Sequence, residues 1–139
     1  MRLALLAFLA CLMPAPLAAQ PSDIIVRGDV ARSEIERILD ADNVDTSALE
    51  PREVAEAIAG IRRGRAPDDF WLAYRAHVDA WGRLADALDA AHTSRGLKDI
   101  EAIGAAEEAI ETTFDEVERI ARRYGARLPT PPWQVLSTV

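Results

Sequence analysis

The chain has 139 residues, with 23 acidic and 16 basic side chains, a formal net charge of −7 and a single cysteine. That length suits one domain around one core. The acidic surplus argues against a phosphate-backbone partner, which needs clustered Lys and Arg, and gives no basic face for anionic lipid.

Met1-Arg2 supplies a positive charge, Leu3 to Met13 is an unbroken apolar run, and Pro14-Ala15-Pro16-Leu17-Ala18-Ala19 follows with small residues and helix breakers. This is the layout of a cleavable secretory signal. The run is about half the roughly twenty residues a permanent span requires. Residues 1–19 are therefore expected to be a signal removed after Ala19, with the rest periplasmic or secreted and no further membrane association. Removing Arg2 takes the charge from −7 to −8, and no thiol remains once Cys11 has gone. Disulfides, thiolate metal sites and cysteine nucleophiles leave with it. Phe8-Leu9-Ala10-Cys11 only partly matches a lipoprotein box, because Leu12 and Met13 stay apolar.

Residues 20–29 contain Ile24-Ile25-Val26 and read as an extended lead-in; the helical domain is expected over 30–125. A first helix is predicted from Val30 to Asp40, with Ile35, Ile38 and Leu39 on one face. A second starts at Pro51, a favoured first position, carries Val54, Ile58 and Ile61, and runs to Arg63 before Gly64. A third runs from Pro67 to Ala91, with Asp68 and Asp69 in its first turn, where the helix dipole favours anions. A fourth spans Leu97 to Tyr124, acids early and Arg119, Arg122 and Arg123 late. The Pro-rich tail, 126–139, holds Pro129, Pro131, Pro132 and Trp133 and cannot extend the helix; it is expected to lie across the bundle or hang free. Trp133 in it is either a cap on its own bundle or an anchor for a partner.

The last two helices carry the strongest pattern. Phe70, Tyr74, His77, Trp81, Leu84, Leu88 and Ala91 alternate steps of four and three, as do Ile100, Ile103, Glu107, Ile110, Phe114, Val117, Ala121 and Tyr124. Such stepping keeps side chains on one seam, and the short link near Thr93–Gly96 makes the pair antiparallel. The predicted fold is all-α: a four-helix bundle built on a long antiparallel helical hairpin.

His77 and Glu107 break the apolar rule of the seams, and polar groups there need partners. With the turn centred near residues 94 and 95, His77 falls level with about residue 112 and Glu107 near Trp81, leaving about 7 Å axially between His77 and Glu107. Thr113 or Glu111 is then the accessible partner for His77, and Glu107 the partner for the Trp81 indole N–H. Two readings follow. Tyr74, His77, Trp81 and Glu107 either form a polar pocket for a small ligand or metal ion, or are satisfied core groups that fix helix register.

Other chemistries find little footing. His77 and His92 lie about 22 Å apart along one helix and cannot share an ion; His92 is expected to interact with the helix C-terminus. No Glu-x-x-His pair, Cys-x-x-Cys-His or later methionine supports di-iron or haem ligation. Asp40 to Asp45 fails as a calcium loop, with Val44 fifth, Asp45 sixth and Pro51 twelfth; Asp45-Thr46-Ser47 reads as a turn. No serine sits in a Gly-x-Ser-x-Gly elbow. No catalytic residue, resident metal or cofactor is predicted, although a Tyr74–His77–Glu107 acid/base set is conceivable.

The segment Asp68-Asp69-Phe70-Trp71-Leu72-Ala73-Tyr74-Arg75-Ala76-His77-Val78-Asp79-Ala80-Trp81 resembles a motif in small exported bacterial proteins of no assigned activity. Asp42 to Ser47 and Pro51 to Ala55 are similar to the same group. The resemblance covers about a quarter of the chain and implies export, with no site residue to carry over. The sequence thus predicts a non-catalytic exported binding or interaction module, with an unknown protein partner and no nucleic acid. The alternative is a weak small-ligand- or metal-binding bundle with its pocket at His77 and Glu107, and a small hydrolase or isomerase comes third.

Overall fold

Helix-forming composition and three proline-led helix starts give, in a computed structural model that describes residues 21–94 and 97–130, four α-helices and no strand among the described residues. They are α1 Pro21–Asp42, α2 Pro51–Ala59, α3 Asp68–Ser94 and α4 Leu97–Arg123. The predicted leader, and Pro131, Pro132 and Trp133 of the tail, lie outside the described residues.

The predicted extended lead-in is a difference: residues 21–29 belong to α1. Pro21 at the first helical position presets the backbone angle. The β-branched run Ile24-Ile25-Val26 lowers helix propensity only slightly, and a helix once nucleated extends at little cost. α2 starts at Pro51 as predicted, with the Glu53 carboxylate accepting the Glu50 backbone N–H at 2.9 Å. It stops short of Arg63, at Ala59. Gly60 N–H still reaches Glu56 O at 3.2 Å, and Ile61 N–H then closes a tighter turn onto Ile58 O at 3.2 Å. Gly64 takes a positive φ of 59°.

α4 ends where the sequence places it. Gly125 has φ 69°, its N–H donates to Arg122 O at 3.0 Å, and the next N–H, of Ala126, donates to Ala121 O at 3.1 Å. This paired closure satisfies two terminal carbonyls while both alanines bury against the core.

α3 and α4 form the antiparallel hairpin in close to the predicted register. His77 faces Thr113 and Phe114, and Asp69 faces Arg123 and Tyr124. α2 crosses back along α3: Arg52 bridges to Asp86 at 2.8 Å and Asp89 at 2.5 Å, while Ile58 O lies at Tyr74. α1 runs alongside α3, with Glu36 near the end of α4 and Asp42 at Tyr74. The order is up, down, up, down. Ile35, Ile38 and Leu39 of α1 meet Val54 and Ile58 of α2, Phe70, Tyr74 and Val78 of α3, and Val117, Ile120 and Ala121 of α4. Each large aliphatic or aromatic member contributes roughly 1.5–3 kcal/mol through burial.

The start of the tail lies across the bundle. Arg127 N–H donates to Glu36 Oε1 at 3.0 Å, which holds the Glu36 carboxyl below its usual range. Leu128 packs on the core, and Asn43 Nδ2 donates to Thr130 O at 3.1 Å.

Candidate functional site: a cavity floored by a neutral histidine

Tyr74, His77 and Trp81 share one face of α3 because they lie one turn apart, and the hairpin closes α4 over that face. His77 is 3% exposed, with its ring centroid 5.1 Å from that of Phe114. Its two nitrogens have separate partners. The indole Nε1 of Trp81 donates to Nε2 at 3.2 Å, and Nδ1 lies 3.2 Å from Thr113 Oγ1.

An indole N–H only donates, so Nε2 must carry a lone pair and the ring proton must sit on Nδ1. Thr113 Oγ1 accepts that proton's bond and passes its own hydroxyl hydrogen to Ala109 O, 2.6 Å away, or Ile110 O, 3.1 Å away. The chain runs from Trp81 through His77 and Thr113 to the α4 backbone. Protonating His77 would end the Trp81 bond and place a charge indoors, and burial lowers its pKa from 6.5 to about 4. The imidazole is therefore neutral at physiological pH and has no spare lone pair for a metal or a proton.

Glu107 does not join the group. It is exposed and does not line the cavity beside His77, and the Trp81 N–H predicted for it goes to His77 instead. The reason is a single step of the seam. At 3.6 residues per turn a step of three from Ile103 is as good as a step of four. The helix buries Ala106, 5% exposed, and turns its neighbour outward.

Asp42, in the acidic run that fails as a calcium loop, supplies the carboxylate. It is the last residue of α1, and its Oδ1 accepts the Tyr74 hydroxyl at 3.0 Å; the same hydroxyl is 3.3 Å from Ile58 O. Burial pushes the Asp42 carboxyl up from 3.8 to about 6, with the Tyr74 hydroxyl opposing the rise. Burial and the Asp42 charge push the Tyr74 phenol upward. One signal for Asp42 was present in the sequence: an acid in the last turn opposes the helix dipole and so needs another reason to be there.

Asp42, His77 and Trp81 border a cavity of about 440 Å³, while Tyr74, fully buried, lies behind Asp42 and does not line it. Leu39 and Asp42 of α1, Val54 and Ile58 of α2, and His77 and Trp81 of α3 form its sides. Ile110 and Phe114 of α4 complete them, with Glu111 and Asp115 at the rim. The connection through Asn43, Val44 and Thr46 crosses one edge, and Pro129 of the tail another. That connection is held by the predicted turn, with Asp45 Oδ1 accepting the Ser47 N–H at 3.0 Å and hydroxyl at 2.6 Å.

His92 sits exposed at the end of α3, Nδ1 2.9 Å from Leu88 O, the helix-end role predicted for it. Among the described residues no group of three His, Cys, Asp or Glu side chains is placed to hold a metal ion. Nor is any helix there long and apolar enough to cross a membrane. No family model, curated protein or solved structure matches the chain.

Proposed function

We propose that this chain is an exported, non-catalytic binding module that takes a small ligand in the cavity bounded by all four helices. The observation that carries this is the cavity itself. Its volume lies in the range of small-molecule sites, and its walls are mainly apolar with a few converging polar groups, as such sites require. Binding fits the chemistry better than catalysis, because His77 already spends both nitrogens within the fold. The signal-like pattern of residues 1–19 supports export.

The test has two parts. Expression of the full chain in a bacterium, followed by mass measurement of the periplasmic fraction, should find a product beginning near Gln20. A fragment screen by 1H–15N NMR should then move the Trp81 indole resonance in preference to those of exposed sites. A screen in which no fragment perturbs Trp81 would count against the cavity as a ligand site, and an uncleaved cytoplasmic product against export.

A further inference from the structure

We infer that the ligand is a small organic cation, an ammonium group on an apolar body, seated with the ammonium at Asp42; this rests on reading the cavity as a ligand site. Four observations converge on that chemistry. Every charged residue lining the cavity is an acid, namely Asp42, Glu111 and Asp115, and no Lys or Arg lines it. The histidine there is neutral and engaged at both nitrogens. Asp42 uses Oδ1 to accept from Tyr74, while Oδ2 accepts no hydrogen bond among the described residues, so one carboxylate oxygen is available to a donor. Trp81 and Phe114 line the same cavity, and aromatic faces attract cations through the ring quadrupole.

A carboxylate in an apolar surround is costly without a countercharge. A bound ammonium supplies one, and the apolar walls take up the body of the molecule. An anionic ligand would meet three carboxylates, and a neutral one would leave Asp42 uncompensated. The volume of about 440 Å³ suits a free small molecule rather than a helix of a partner.

The experiment titrates the protein at pH 7.5 and low salt with hexylammonium, 1-hexanol and hexanoate, which share one body and differ in head group, following the Trp81 indole by NMR. Hexylammonium should bind about tenfold or more tighter than 1-hexanol, as expected for a charge-assisted bond, and hexanoate weakest. Asp42→Asn should bring hexylammonium to within about threefold of 1-hexanol while 1-hexanol binding persists. At pH 5, below the Asp42 value of about 6, hexylammonium should weaken about tenfold and 1-hexanol should not. The other titratable groups near Asp42 or around the cavity are Tyr74, His77, Glu111 and Asp115.

Equal binding of hexylammonium and 1-hexanol would overturn the cation and leave the cavity reading standing. If none of the three moved Trp81, both would fall. N-acetyl-lysine N-methylamide, which offers the same ammonium on a peptide, should bind more weakly than hexylammonium. Tighter binding would transfer the site to a partner's lysine and overturn the proposal.

Discussion

Asp42 and His77 border one cavity, and burial works on them in opposite directions, which makes Asp42→Asn an informative perturbation. Holding the Asp42 carboxyl near 6 instead of 3.8 means the folded state binds that proton more tightly than the unfolded chain does. Its contribution therefore rises as pH falls from above 6 to below 3.8. At ~1.4 kcal/mol per tenfold in proton affinity, the change is about 3 kcal/mol. His77 has the opposite sign. Its folded value near 4 lies below 6.5, so the unfolded chain takes the proton first, and stability is lost as pH falls from 6.5 through 4. That loss is also about 3 kcal/mol.

In the wild-type protein the two nearly cancel across this window. In Asp42→Asn the His77 loss stands uncovered. Urea unfolding of both proteins from pH 7.5 to 4 is the assay, with the difference between them removing every group they share. The variant should lose about 2 kcal/mol more than wild type over that range, since pH 4 stops just short of the unfolded Asp42 value of 3.8. Parallel profiles would refute the burial of Asp42 as the source of its raised value.

Tyr74→Phe removes the hydroxyl that donates to Asp42 and should cost about 1–2 kcal/mol by urea unfolding; the Asp42 carboxyl, followed by NMR titration, should move up from about 6 because the bond that opposed the rise is gone. His77→Ala strands the Trp81 indole N–H and opens space beneath Phe114, and should cost about 3 kcal/mol, read as a fall in Tm. The glycines separate backbone strain from crowding. Gly125→Ala should cost about 1 kcal/mol for its positive φ alone, since nothing lies within 4 Å of the added carbon. Gly64→Ala should cost more, because the carbon also meets the Glu34 carboxylate, and Gly60→Ala, in the ordinary helical region, should change stability by only a few tenths.

The hairpin was legible because its information is local: two seams and a short link set which residues meet, and His77 and Thr113 do face each other. Glu107 was misplaced because counting threes and fours leaves each individual step free; a small alanine one position earlier took the buried place, and the sequence pattern does not rank Ala106 against Glu107. Asp42 was missed for a different reason. Its partial burial depends on Tyr74 of the neighbouring α3 and on the tail held by the Asn43–Thr130 bond, and these are distant along the chain. The acidic stretch Asp40 to Asp45 looks uniformly solvated when read alone. The cavity is likewise a product of assembly, since no single helix contributes more than a few of its walls.

The claim on which the rest depends is that His77 is held neutral, with its proton on Nδ1, between the Trp81 indole and the Thr113 hydroxyl. Long-range 1H–15N correlation of the imidazole measures this directly. From pH 8 to pH 5 the spectrum should show a protonated Nδ1 and a bare Nε2, with titration only near 4. A proton on Nε2, or titration at the ordinary histidine value of 6.5, would contradict it.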